Sequence, residues 1–271
     1  MNLARVAAIA AREVAAITKS RAVWLPMALV PFVMFIALPL IVTLVAHAVT
    51  DEKLASELRE MLALMPKELV ATLPHDRPSA AFVELMLRQV LTPMFIIVPL
   101  MTATLVAANA FAGERERRTL EALLHTPATD LEVFAGKSLG AFLPALVTCV
   151  AGLVIVSVVA DVSAWSIVGR LLLPDALWLA MALVLAPAMS GLAIIALVFV
   201  SARVRGFQEA SQLGGLLVLP IVAVVVGQVT GVMYLRAWLV LLIGFIVLAI
   251  DVALVVVVGR AFRRDDLFTR M

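Results

Sequence analysis

Six long apolar runs, residues 23–49, 89–112, 138–160, 171–200, 212–235 and 237–259, decide what this chain can become. Each meets the requirement of ~20 mostly apolar residues for a helix that crosses the hydrocarbon core. The fourth is long enough to tilt or to begin outside that core. In lipid a run of this kind must close its backbone hydrogen bonds within itself, so it becomes a helix. With 64% hydrophobic residues among 271 and a mean hydropathy of +1.12, the chain carries more apolar surface than a soluble domain needs. The expected fold is all-α and integral to the membrane, with six transmembrane helices in one domain over residues 1–271.

The charges orient the bundle. Six spans put both termini on one side, and that side holds 14 of the 21 Lys and Arg residues: Arg5, Arg12, Lys19, Arg21, Arg115, Arg117, Arg118, Lys137, Arg203, Arg205, Arg260, Arg263, Arg264 and Arg270. Of the other seven, five fall in the single loop 50–88. The positive-inside rule then places both termini and the segment 113–137 in the cytoplasm. A net charge of only +2, with arginines at the membrane margins, argues against nucleic acid as a partner. The lone cysteine, Cys149, lies in an apolar run and says little about redox compartment.

Residues 1–22 read as an amphipathic interfacial helix, with Arg5, Arg12 and Lys19 on one side and Leu3, Val6, Ala10, Val14 and Ile17 on the other. Glu13 falls inside the apolar arc and breaks the pattern. Ala46-His47-Ala48 mimics a signal-peptide cleavage site, but 27 apolar residues far exceed a signal core, so an uncleaved first span is expected. In the extracytoplasmic segment 50–88, Leu54, Leu58, Met61, Leu62, Met65, Leu69, Val70 and Leu73 keep helical spacing through Pro66. Two short helices ended by Pro74 and Pro78 are expected, their apolar stripe covered by the membrane face or another subunit. Pro93, Pro99, Pro187 and Pro220 fall within spans two, four and five, where they mark either packing adjustments or a water-filled path. The spacings Gly136–Gly140 and Gly227–Gly231 permit close helix approach.

Segment 113–137 is different in kind, because nine of its 25 residues are charged although it sits between two spans. Charges at mid-bilayer cost about 2.5–3.5 kcal/mol each, so it must lie in water or against protein. Thr119 to His125 reads as a short helix with Leu120, Leu123 and Leu124 on one side, stopped by Pro127. Thr129-Asp130-Leu131-Glu132 then reads as a capping box that starts a new helix. The result is a helix–break–helix elbow. Ala135-Gly136-Lys137-Ser138 is not a phosphate loop, since Leu131 stands where the first glycine is required and a span follows. His47, His75 and His125 lie in separate segments, and neither a nucleophile–base set nor metal-ligand spacing occurs.

The elbow resembles the permease subunits of type-2 ATP-binding-cassette (ABC-2) exporters, through Phe111, Glu114-Arg115-Glu116, Thr119-Leu120-Glu121, Leu123-Leu124, Thr126-Pro127, Thr129 and Gly136-Lys137. Ser201-Ala202-Arg203 with Glu209-Ala210 adds to the resemblance, and Ala128 departs from the family's usual Val. The resemblance implies that 119–126 is a coupling helix docked on a separate ATPase subunit. Glu114, Arg115, Glu116, Arg117, Arg118, Thr119, Leu120, Glu121, Leu123, Leu124, Thr126 and Pro127 would form the docking surface. It further implies two ATPase copies that carry the ATP and Mg, no cofactor and no enzymatic activity on this chain, and a second permease, either the same chain or a related one. The setting implied is the cytoplasmic membrane of a prokaryote.

Asn109, Gln228 and Asp251 are the substrate-path candidates within the spans, with helix-to-helix hydrogen bonding as the structural alternative. Gln212 shares that choice. Scarce intramembrane charge favours a small amphiphile or cation as cargo, and the resemblance implies that it is carried outward. The rival readings are a stand-alone secondary carrier, which would need coupling-ion carboxylates at mid-membrane, and a membrane scaffold or assembly factor without polar helix interfaces.

Overall fold

Each apolar run is helical over most of its length. The computed structural model describes residues 2–63, 65–74, 76–116, 128–201, 204 and 206–261, and the regular structure among them is helical throughout. The helices are α1 (Leu3–Ile17), α2 (Arg21–Ala48), α3 (Asp51–Ala63), α4 (Lys67–Val70), α5 (Pro78–Gly113), α6 (Asp130–Val168), α7 (Ala176–Ser201), α8 (Phe207–Val229) and α9 (Ala237–Ala261). Six of them, α2 and α5 to α9, are long and apolar enough to cross a membrane.

Five prolines coincide with local changes of helix pitch in the spans, whereas Pro26, Pro31 and Pro144 lie inside regular α-helix. A proline ring clashes with the carbonyl four residues earlier and donates no N–H. Phe35, Gln89 and Leu183, each four residues before Pro39, Pro93 and Pro187, all fall in wide π-turns: Val33–Ala37, Met86–Val90 and Met181–Leu185. Phe95, four before Pro99, lies in a turn, and Leu216, four before Pro220, opens the 3-10 turn Leu216–Val218. The helices are therefore locally rewound rather than broken. One wide turn also supplies an acceptor: the Trp178 indole N–H donates to Leu87 O at 3.1 Å. Trp178 packs edge-on against Phe95, which stacks on Phe35, and this trio joins α2, α5 and α7 in the main core.

Two boundaries differ from the sequence reading. Pro78 does not end a helix but begins one, at the first-turn position where its missing N–H costs nothing, so α5 starts well before residue 89. Residues 171–175 precede the fourth span instead of opening it. Gly169 (φ 72) ends α6, the Asp161 carboxylate accepts the N–H groups of Leu172 and Leu173 at 2.8 and 3.1 Å, and Asp175 caps α7 through Trp178 N at 2.9 Å.

The segment between α2 and α5 also corrects an expectation. Its helical spacing does not run through Pro66, because α3 ends at Ala63 and α4 begins at Lys67. Its apolar stripe is covered by the chain itself: Leu58, Met65, Leu69 and Leu73 pack on Ala81 and Leu85 of α5 and on Tyr234. At this far end of the bundle, Arg170 donates to Glu84 at 2.6 Å, Arg88 lies 3.7 Å from the same carboxylate, and Arg88 Nε donates to Asp175 at 3.0 Å. The His47 ring bonds Ser166 at 3.0 Å. These contacts tie α2, α5, α6 and α7 together. His75 lies outside the described residues.

Candidate functional site

The two roots of the elbow, Glu114–Glu116 and Thr129–Glu132, stand at the end of the bundle opposite α3 and α4. The second root carries the capping box read from the sequence. Thr129 Oγ1 accepts Glu132 N at 3.3 Å, and Glu132 Oε2 accepts Thr129 N at 3.0 Å. The other Glu132 oxygen accepts the Asn2 N–H at 2.6 Å, and Arg5 lies 3.6 Å away, so the start of α1 is fastened to the start of α6.

Helix α1 then runs along α6 on a glycine track. A Cβ added at Gly136 would stand 2.7 Å from Ile9 Cβ and 3.1 Å from Val6 O; one at Gly140 would stand 2.6 Å from Glu13 Cβ. The Gly136–Gly140 spacing thus seats the N-terminal helix. By contrast, Gly227 makes room for Met233, and Gly231 (φ 73) turns the chain after α8. The buried seam of α1 is Val6, Ala10, Glu13 and Ile17, whereas Leu3 and Val14, expected in the apolar stripe, are exposed.

Glu13 breaks the apolar pattern because its counter-charge lies on α6. Lys137, whose side chain is 2% exposed, reaches into the seam between the two track glycines. Its ammonium pairs with Glu114, donates to Ala110 O at 2.5 Å, lies 3.6 Å from Glu13 Oε1, and sits 5.6 Å above the Phe111 ring. Arg12 closes the set, with Nη2 donating to the other Glu114 oxygen at 3.0 Å. Burial raises the Glu13 carboxyl above its ordinary range, with Lys137 pulling it the other way. Two buried acids are thereby matched by one buried base, Lys137, and one half-exposed base, Arg12, and such pairing is the condition under which buried charge is tolerated.

Glu116 makes the third connection. Its carboxylate accepts the Phe207 N–H at 3.0 Å and so caps α8 from outside, where the residue preceding the helix, Gly206, has no side chain to do it. A Cβ on Gly206 would come 2.4 Å from that carboxylate. Three elbow carboxylates thus reach three helices: Glu114 holds α1 and α6, Glu116 holds α8, and Glu132 holds α1 again.

A family model described as ABC-2 family transporter protein matches residues 7–263. The chain belongs to that family. No curated protein and no solved structure matches it. As an ABC-2 permease it is a multi-pass membrane component that does not itself carry the catalytic machinery. Of the docking residues expected from the sequence, Glu114 and Glu116 stand in the mount just described. Arg115 belongs to the same short turn, and Arg117, Arg118, Thr119, Leu120, Glu121, Leu123, Leu124, Thr126 and Pro127 lie outside the described residues. Glu13, Arg12 and Lys137 were not singled out as site residues. The signal was an acid inside an apolar arc and a base between two close-packing glycines.

The substrate-path candidates fall on separate elements. Asn109 opens the wide turn Asn109–Gly113 beside the elbow of this permease. Gln228 is buried near the far end of α8. Asp251 of α9 is 8% exposed, its Oδ1 has no hydrogen-bond partner, and its other oxygen fills the space left by Gly191 of α7.

The glycine track makes a direct prediction. Gly140→Val drives a methyl group into Glu13, and overpacking of this kind costs about 1–3 kcal/mol. Helix α1 should then lift from α6. A Val6→Cys reporter in a Cys149→Ala background, buried in the parent, should react with a thiol reagent roughly tenfold faster in the valine variant.

Proposed function

We propose that this ABC-2 permease is the transmembrane half of an ATP-driven exporter and that residues 113–137 are where a separate ATPase subunit pushes. Two permeases pair, two ATPase subunits carrying ATP and Mg dock beneath them, and a small amphiphile or cation moves outward across the cytoplasmic membrane of a prokaryote. The observation that carries this reading is the wiring of Glu114, Glu116 and Glu132. A displacement delivered between the two roots is passed at once to α1, α6 and α8 through the Arg12–Glu114–Lys137 ion pairs, the Glu132–Asn2 hydrogen bond and a helix cap. A solvated loop would need none of these fastenings. Rigid attachment lets a docked partner bias a two-state bundle.

The decisive experiment is co-purification of an ATPase subunit with the permease, followed by ATP-dependent transport from the reconstituted pair. A permease that transports alone, driven by an ion gradient, would sink the proposal. Orientation is tested separately. In a Cys149→Ala background, Ser56→Cys should react with an impermeant thiol reagent added outside intact cells, and Ala128→Cys should not. Labelling at position 128 would reverse the topology inferred from the 14-to-7 split of basic residues.

A further inference from the structure

We propose that a cleft at the far end of the bundle, between Gln89 of α5 and Gln228 of α8, binds the polar head of a compact uncharged amphiphile: an alcohol or carboxamide on an apolar body. This rests on the transport reading and deepens it, assigning an exit-side subsite and a ligand class. In the closed state the cleft is only about 10 Å³, room for one water, with Met65 and Leu69 as its roof and Met233 and Tyr234 at its side. Gln89 Oε1, Gln228 Oε1 and Gln228 Nε2 are buried without a hydrogen-bond partner, and Gln228 as a whole is 5% exposed.

Unmet amide groups in an apolar wall are destabilising, and leucine or methionine would fit the same space without that penalty. Such groups are what a site needs to read an O–H or N–H on a ligand and to reject an analogue lacking it. Two oxygens that accept and one Nε2 that donates match a single hydroxyl or carboxamide. Among the described residues, no ionised side chain lines the cleft. A charged head would lose its water there without gaining a counter-ion, which excludes carboxylates and ammonium groups. The thioethers of Met65 and Met233 supply an adaptable apolar wall.

The roof is held by a contact that opens easily. Glu68 of α4 pairs with Arg236, whose guanidinium lies 5.5 Å from the Tyr234 ring centroid, and both members of the pair are exposed. Exposed pairs of this kind hold weakly. In the closed state the cleft admits only a water-sized group, so ligand entry requires α4 to lift.

Tyr234 is the single tyrosine of the chain, so a fluorinated tyrosine gives one fluorine NMR signal, located at the cleft. The full-length permease in lipid nanodiscs is titrated with benzyl alcohol, benzamide, benzoate and benzylammonium. The expected result is a saturable shift with the alcohol and the amide and none with the two ions. Gln228→Leu should weaken benzamide binding about tenfold, the loss of one or two neutral hydrogen bonds, and leave the Tm of the unliganded chain no lower. Gln89→Leu and Gln228→Met repeat the test if the first variant does not fold. Equal affinity in parent and variants, or a saturable response to the ions, overturns the proposal. A lower Tm with no saturable shift marks the pair as the seat of a structural water only, and also overturns it. The readout does not involve the ATPase: failure of an ATPase to co-purify sinks the transport reading, and loss of the fluorine response with the ATPase retained sinks this one alone.

Discussion

Lys137→Ala should destabilise the folded permease by about 3–5 kcal/mol, the cost of stripping one partner from a buried ionic set. The side chain is 2% exposed and faces two carboxylates, Glu114 and Glu13, from which water is excluded. Without the ammonium, Glu13 must take up a proton or draw water into the seam between α1 and α6, and Glu114 keeps only the half-exposed Arg12. Thermal unfolding in detergent, read by aggregation or by intrinsic tryptophan fluorescence, measures the loss. The double variant Lys137→Met with Glu114→Gln removes the mismatch and should recover much of the stability, since an apolar replacement of a buried pair is often near neutral. It should not recover ATP response, because the elbow root then has no charged hold on α6. Full recovery of transport in the double variant would show that the cluster serves folding alone.

Leu123→Ser combined with Leu124→Ser should separate the permease from its ATPase without unfolding it. Neither residue falls in one of the six apolar runs of the sequence, so insertion and pairing of the six helices should proceed. The change removes two apolar anchors from the proposed docking contact, each worth about 1.5–3 kcal/mol when fully buried. Association with the ATPase should therefore weaken by several powers of ten, at about 1.4 kcal/mol for each tenfold. Affinity capture measures retention, and ATP-dependent transport measures the consequence. Charge reversal at Arg117 and Arg118 should do less and depend on salt, as expected for groups that steer association. A double serine variant that retains its ATPase and transports at the parent rate would remove the docking role from residues 113–137.

The spans were legible because their determinant is local. Twenty apolar residues in lipid have one way to satisfy their backbone, and six such runs became six helices. The capping box at Thr129 and Glu132 was legible for the same reason, since both of its hydrogen bonds close within three residues. Pro78 was misjudged because proline ends a helix behind it and begins one ahead of it equally well, and only the packing of Ala80, Ala81, Val83 and Leu85 decides. The charge cluster was out of reach in detail. Arg12 and Glu114 are 102 residues apart, and no periodicity on α1 names its partner. What the sequence did contain was the anomaly of Glu13 on an apolar face, a charge that must find a counter-charge once buried. The cover of the segment between α2 and α5 was missed likewise, because Tyr234 comes to it from a distant turn.

Helix α6 has a mechanical consequence. Spans α2, α5, α7 and α8 each contain a wide or tightened turn that can absorb strain, whereas α6 is regular α-helix from Asp130 to Val168 despite Pro144 within it. From Lys137 to Asp161 it covers about 36 Å at 1.5 Å per residue. A tilt of about ten degrees at the Lys137 end would carry Asp161 sideways by roughly 6 Å over that length. Asp161 holds the Leu172–Leu173 turn that leads into α7, so this uninterrupted helix is gripped at both ends. Such a helix would act as a lever, and a small stroke at its elbow end would become a larger one at the opposite face.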